Sequence, residues 1–260
     1  MDLHLKDKVV LITGGSNGIG AAITRRSAGE GAIPVIVDTD AGAGQQLQSE
    51  LRSQGQECGF IAADLVRAEN CARAVEETLR QFGRLDGLVN NAGINDRIGL
   101  EQGSPQKYLA SLERNLLHIY NVTHYALPAL KKSKGSIVNI ASKTALTGQG
   151  GTSGYASAKG GILALTREWA VELLSYEIRV NAIVPSEVMT PLYEKWLATF
   201  SDPEEKLHHI TSRIPFGKRI TSADEIASTV LFLLSGQASH TTGQFLFVDG
   251  GYVHLDRALT

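Results

Sequence analysis

A strand that must turn on glycine restricts this chain more than any other feature. Val9-Val10-Leu11-Ile12 is an unbroken apolar run, and Thr13-Gly14-Gly15-Ser16-Asn17-Gly18-Ile19-Gly20 follows it directly. Such a run reads as a strand buried on both faces, the habit of a parallel sheet. Glycines at 14, 18 and 20 permit a tight turn into a helix. They also let a pyrophosphate come close to the amides at the helix start. Asp38 stands eighteen positions beyond Gly20, at the end of a second apolar run, Pro34-Val35-Ile36-Val37. The pattern predicts a strand–helix–strand unit that holds a dinucleotide.

The rest of the chain repeats the alternation. Strands are predicted over Lys8–Thr13, Pro34–Asp38, Cys58–Ala62, Asp86–Asn90, Gly135–Ala141, Ile178–Val184 and Gln244–Val248. Helices are predicted over Gly18–Gly31, Gln45–Ser53, Glu69–Phe82, Ser104–Leu130, Ser153–Leu174 and Ala223–Leu234. This is the pattern of an α/β fold. It implies one doubly wound (Rossmann) parallel sheet with right-handed crossovers and helices on both faces. Ligands of such sheets bind at the carboxyl ends of the strands. The stretch 187–214, rich in Tyr, Trp and Phe, breaks the alternation and is expected to be a strand-free substrate lid. Leu192, Trp196 and Phe200 recur every four residues, as one face of a lid helix packed on the core.

With 260 residues, the chain suits a single domain. A net charge of −2 gives neither nucleic acid nor an anionic membrane a reason to bind. No apolar run approaches the ~20 residues that span a bilayer. The opening Met1-Asp2-Leu3-His4-Leu5-Lys6-Asp7 is too charged for a signal peptide. Cys58 and Cys71 form no CxxC pair, so idle thiols and a cytoplasmic setting are expected. The seven histidines show no ligand spacing, and no metal site is expected.

The cofactor set follows from the strand ends: Gly14, Asn17, Gly18 and Ile19 at the first turn, and Asp38 after the second strand. Asp64 and Leu65 follow the third, Asn91, Ala92 and Gly93 the fourth, and Pro185 the sixth. Asp38 is placed to accept hydrogen bonds from ribose hydroxyls and to repel a 2′-phosphate. No Arg or Lys stands at 39–44 to offset that repulsion, so NAD is expected rather than NADP. Arg25 and Arg26 are read as solvated helix residues. Asp64 serves equally as an adenine contact or a helix N-cap. Asn90 serves equally as a structural residue or a contact.

Tyr155 and Lys159 lie four apart near the start of a predicted helix and share a face. A free phenol, with a pKa of ~10, is a poor base at neutral pH. A neighbouring ammonium and an oxidised nicotinamide both favour the phenolate. Tyr155 then takes a proton from a substrate hydroxyl as a hydride leaves the same carbon. Ser142, thirteen residues earlier, is placed to hold the substrate oxygen. Asn115, a polar amide on an apolar helix face, needs partners. It is assigned a water that relays protons through Lys159.

Thr13-Gly14-x-x-x-Gly18-Ile19-Gly20, Asn90-Asn91-Ala92-Gly93, Asn115, Ser142, Tyr155-x-x-x-Lys159 and Asp249-Gly250-Gly251 together resemble the short-chain dehydrogenase/reductase family, over essentially the whole chain. The resemblance implies a seven-stranded sheet and a homotetramer. It also implies that Lys159 bonds the nicotinamide ribose, and that the stretch from Pro185 through Val188 to Thr190 holds the carboxamide. Ser186 departs from the glycine usual after that proline. Less general segments resemble the bacterial L-fucose dehydrogenases of that family: Gly93-Ile94-Asn95-Asp96, Ser142-Lys143-Thr144-Ala145, Thr147-Gly148-Gln149-Gly150, 187–193 and the tail 251–259. They imply oxidation of a pyranose anomeric hydroxyl to a lactone. Asn95, Lys143, Gln149 and Glu187 follow strand ends and supply the donors and acceptors that a sugar needs. Ser142, Tyr155 and Trp196 complete the expected substrate set. The tail residues His254, Asp256 and Arg257 are read as lining a subunit contact or a neighbouring subunit's site, or as surface charge. Two other readings stand beside this one: a 3-oxoacyl or other ketone reductase or secondary alcohol dehydrogenase of the same family, and a non-catalytic nucleotide-sensing protein.

Overall fold

The computed structural model describes residues 2–255. Seven parallel strands form one sheet, in the order β3-β2-β1-β4-β5-β6-β7. They are β1 (Val9–Thr13), β2 (Ile33–Asp38), β3 (Gly59–Ala62), β4 (Gly87–Asn90), β5 (Ser136–Ile140), β6 (Arg179–Pro185) and β7 (Phe245–Val248). Every residue of β1, β4 and β5 is buried, as expected of strands covered on both faces. Side-chain alternation divides the core in two. Val9 and Leu11 join Leu88, Ile119, Ile137 and Ile162 on one face. Val10 and Ile12 join Ile23, Val89, Val138, Ile226 and Val230 on the other.

The first face is covered by α3 (Ala68–Phe82), α5 (His118–Ser133) and α6 (Ser153–Glu172), with α4 (Pro105–Leu112) packed against α6. The second is covered by α1 (Gly18–Gly29) and α9 (Ala223–Leu234). The edge helix α2 (Ala41–Ser53) starts four residues before its predicted start, because the Asp40 carboxylate caps it by accepting from the Ala43 N–H at 3.0 Å. Chain order reverses between β1 and β4, so the crevice beyond their carboxyl ends is the topological switch point.

Two expectations are corrected. The helix predicted over Ser104–Leu130 is interrupted by a π turn, Glu113–Leu117, that contains Asn115. The Asn115 amide donates to the Ser111 carbonyl at 3.0 Å, competing for the acceptor its own main chain would use. A π turn is where a helix admits one extra residue, and such turns gather at functional sites. The 187–214 stretch holds two short helices, α7 (Pro191–Leu197) and α8 (Pro203–Thr211). It is also tied to the body by one parallel bridge, Val188 with Thr221. Phe200 lies beyond α7, and the buried residue of that helix is Leu197, not the Leu192–Trp196 row.

Candidate active site

A cleft of about 810 Å³ opens over the carboxyl ends of the strands at the switch point. Its wall includes Gly14, Asn17, Gly18 and Ile19 from the first turn, Asp38 from β2, and Asp64 with Leu65 after β3. Asn91, Ala92, Gly93 and Asn95 line it after β4, Ser142 after β5, and Pro185, Ser186, Val188 and Thr190 after β6. Tyr155 and Lys159 reach it from α6.

The first turn is held from beneath. The Asn91 side-chain amide donates to the carbonyls of Thr13 and Gly14, both at 3.0 Å. The Thr13 hydroxyl accepts from the amides of Asn91 and Ala92. A Cβ at Gly20 would stand 1.9 Å from the Gly14 carbonyl oxygen, so only glycine fits where the helix meets the turn. Asn90 points inward, donating to Thr123 and Asn139, and ties β4 to its neighbours. Of its two readings the structural one describes its position. Asp64 accepts from the Val66 amide, while Arg67 occupies the N-cap of α3, so the capping alternative for Asp64 is not what the fold uses.

Asp38 faces the cleft, and one of its oxygens accepts from both the amide and the hydroxyl of Ser16. Ser16 thus fixes the carboxylate, a part the sequence reading left out. Arg25 pairs with Glu50 and Arg26 with Asp224, both on exposed surface away from the cleft. Ser186, the departure from glycine, donates to the Asp249 carbonyl and ties the end of β6 to the glycine turn after β7.

At the reaction end, the Ser142 hydroxyl stands beside the Tyr155 phenol. Ser142 accepts from the Thr144 amide and hydroxyl, which orients it. Burial pushes the Tyr155 phenol up to about 12, and the Ser142 hydroxyl offsets this in part. Lys159 is 3% exposed, donates to the Ile140 carbonyl at 2.7 Å, and lies 5.5 Å from the centre of the Tyr155 ring. Burial pulls it down to about 8. Burial thus favours the protonated phenol in the protein alone, and the phenolate expected at Tyr155 calls for the added charge of an oxidised nicotinamide. The Asn115 side-chain carbonyl oxygen accepts from the Ile94 amide at 2.7 Å while its NH₂ serves Ser111, so the side chain organises the loop after β4.

Among the expected substrate residues, Asn95 lines the cleft. Lys143 and Glu187 form a largely buried ion pair with each other beside Ser142, outside the wall of the cleft. The Tyr252 ring covers the Lys143 ammonium, 4.1 Å from ring centre to Nζ. The Tyr193 hydroxyl is buried beside Glu187, which with burial pushes it well above the usual phenol range. Gln149 is exposed on a loop outside the cleft. Trp196 stacks edge-on between Tyr193 and Phe200, each at 5.0 Å, and does not line the cleft; Leu192 and Tyr193 do. His254 packs edge-on against Phe247, whereas Asp256 and Arg257 lie outside the described residues.

A family model described as enoyl-(acyl carrier protein) reductase matches residues 14–253. The chain belongs to the short-chain dehydrogenase/reductase family. It is 39% identical to an L-fucose dehydrogenase of Bos taurus over 252 residues, which are 96% of this chain and 91% of that one. It is 35% identical to the 3-oxoacyl-[acyl-carrier-protein] reductase FabG of Thermotoga maritima, over 96% of this chain and all of the relative. The solved structure of Cj0485 dehydrogenase superposes with a TM-score of 0.95 at 49% identity, covering 100% and 99% of the two chains.

Dehydrogenases of this family bind a nicotinamide cofactor, and the cleft fits one. Gly18 brings its backbone close to Thr190, where a Cβ would meet the threonine methyl at 3.1 Å. The start of α1 opens on the same space, with the Asp38 carboxylate across from it. Thr190 caps α7 by accepting from the Tyr193 amide, so the stretch that borders the cleft is anchored to the helix that follows. Among the described residues, no helix is long and apolar enough to cross a membrane.

Proposed function

We propose that the enzyme is an NAD-dependent sugar dehydrogenase that oxidises the anomeric hydroxyl of an aldose, L-fucose or a close relative, to the lactone. The buried Lys143–Glu187 pair beside Ser142, flanked by Tyr193 and Tyr252, carries this reading. Two opposite charges held out of water next to the reacting centre suit a polyol, whose hydroxyls donate to the carboxylate and accept from the ammonium. An acyl chain would gain nothing from them and leave them paired only with one another. The likeness to L-fucose dehydrogenases points the same way.

Bound in the cleft, an oxidised nicotinamide supplies the hydride acceptor and a positive charge beside Tyr155. Gly14, Asn17, Gly18 and Ile19 hold the pyrophosphate, Asp38 the adenosine ribose, Asp64 and Leu65 the adenine, and Asn91–Gly93, Lys159, Pro185, Val188 and Thr190 the nicotinamide half. Ser142 holds the substrate oxygen against Tyr155, which takes its proton. Asn95 completes the polar side of the substrate space, beneath the lid of α7 and α8. The apolar side chains left exposed on the α4–α6 side, Leu109 at 54% and Val171 at 68%, support assembly of several copies, and a homotetramer is the proposed state. Both thiols are buried and pushed up to about 12 (Cys58) and 11 (Cys71), which suits a reducing cytoplasm.

A panel of aldoses, secondary alcohols and 3-oxoacyl thioesters, assayed with both cofactors by nicotinamide absorbance, tests the reading. Aldose-dependent reduction of NAD is expected. Brisk ketone reduction with no turnover of any aldose would replace the sugar reading with the reductase one. Nucleotide binding with no turnover at all would favour the sensing one. In the same assay Asp38→Ala should narrow the preference for NAD over NADP. Unchanged discrimination would mean that another group sets it.

A further inference from the structure

The Asp38 carboxylate reaches the cleft already bonded. Its Oδ2 accepts from the Ser16 amide at 3.1 Å and from the Ser16 hydroxyl. Its Oδ1 accepts from the Asp40 amide at 3.2 Å. The Ser16 oxygen in turn accepts from the Asn17 side-chain amide at 3.3 Å. Asn17 and Asp38 line the cleft, whereas Ser16 between them does not and is 7% exposed. A hydrogen-bonded row, Asn17 to Ser16 to Asp38, thus links the turn before α1 to the end of β2.

The row acts on a cofactor in two ways. An ionised carboxylate offers about four lone-pair directions, and three are taken here. The Ser16 bonds fix the carboxylate plane and leave Oδ1 open to one more donor, as a ribose hydroxyl supplies. Ser16 has also spent both of its own donors on this anion. A 2′-phosphate, an anion as well, would need donors at the same place. No Arg or Lys stands at 39–44 to supply them, and Arg25 and Arg26 are paired with Glu50 and Asp224 outside the cleft. Asp38 therefore opposes a 2′-phosphate twice, by its charge and by occupying the donors that would hold one.

We propose that Ser16 is a positioning residue that sets the cofactor choice through Asp38. In the intact pair it aims the carboxylate at the ribose, and its two donors are masked. With the carboxylate gone, the same amide and hydroxyl are free to hold a phosphate oxygen in its place. The proposal deepens the NAD reading and rests on it, but not on the identity of the substrate. Repulsion alone would make Ser16 irrelevant to NADP, because removing Asp38 would relieve it with or without the hydroxyl. Masking makes the effect of Ser16 depend on Asp38.

Dissociation constants for NAD and NADP, measured by protein fluorescence on the full chain, test this in Ser16→Ala, Asp38→Ala and the double variant. Ser16→Ala alone should weaken NAD about tenfold, the weight of one hydrogen bond to a charged group, and leave NADP nearly unchanged. With the best substrate of the panel, it should raise KM for NAD and leave kcat at saturating NAD as it was. Ser16→Thr, which keeps the hydroxyl, should retain most of the affinity. Asp38→Ala should bind NADP about tenfold more tightly than the unmodified protein, and adding Ser16→Ala should remove most of that gain. A gain that survives in the double variant, or an equal loss of NAD affinity from Ser16→Ala with and without Asp38, would overturn the proposal and leave the NAD reading standing. Unmodified protein that binds NADP as tightly as NAD would remove that reading, and the proposal with it.

Discussion

Tyr155→Phe should lower kcat by about 10²–10⁴-fold, the usual contribution of a positioned acid–base group, and leave NAD binding as it was. The substitution removes only the hydroxyl. The ring keeps its place on the first turn of α6, and Ser142 keeps the two bonds from Thr144 that orient it. The cofactor wall is built mostly from other strand ends, so affinity measured by protein fluorescence has no reason to change. Surviving turnover would mean that a different group takes the proton. Lost turnover together with lost binding would mean that Tyr155 shapes the cleft instead of working in it.

Lys159→Met should abolish turnover and make the protein more stable. Lys159 is held at about 8 against an ordinary 10.5. The unfolded chain therefore binds this proton more readily than the folded one. The penalty is fully present below pH 8 and fades as pH rises from 8 toward 10.5. At neutral pH it is about 3 kcal/mol, since each pKa unit is worth about 1.4 kcal/mol. Methionine fills similar volume without charge but leaves the Ile140 carbonyl unpaired, which returns about 1 kcal/mol. The net gain of about 2 kcal/mol should raise the melting temperature by roughly 4–8 °C at pH 7, and by less at pH 10. A lower melting temperature at pH 7 would show that the ammonium stabilises the fold. The exchange of stability for activity is the usual one at a reaction centre.

The sheet was legible because each strand announces itself by a local apolar run, and the cofactor wall because ligands gather at strand ends. Ser142, Tyr155 and Lys159 were legible for the same reason: two share one helical face and the third ends a neighbouring strand. What escaped the sequence was contact between distant segments. Lys143 and Glu187 each read as a sugar ligand, yet they meet across 44 positions and satisfy one another first. The π turn was hidden because its side chains keep the composition of an ordinary helix, and its cause lies in the bonds of Asn115 to Ser111 and Ile94. Gln149 and Trp196 were polar or aromatic residues near the right strand ends, but loop geometry turned them elsewhere. Periodicity also reveals the ammonium near Tyr155 but says nothing of how dry the site is, and that dryness pushes the phenol up.

One measurement tests most directly whether the hydride leaves a sugar's anomeric carbon at this site: turnover of L-fucose deuterated at C1 with NAD, followed by mass spectrometry of the reduced cofactor. The label should appear in the nicotinamide as the lactone forms. Reduced cofactor without deuterium, or sugar recovered intact after long incubation with active enzyme, would contradict it.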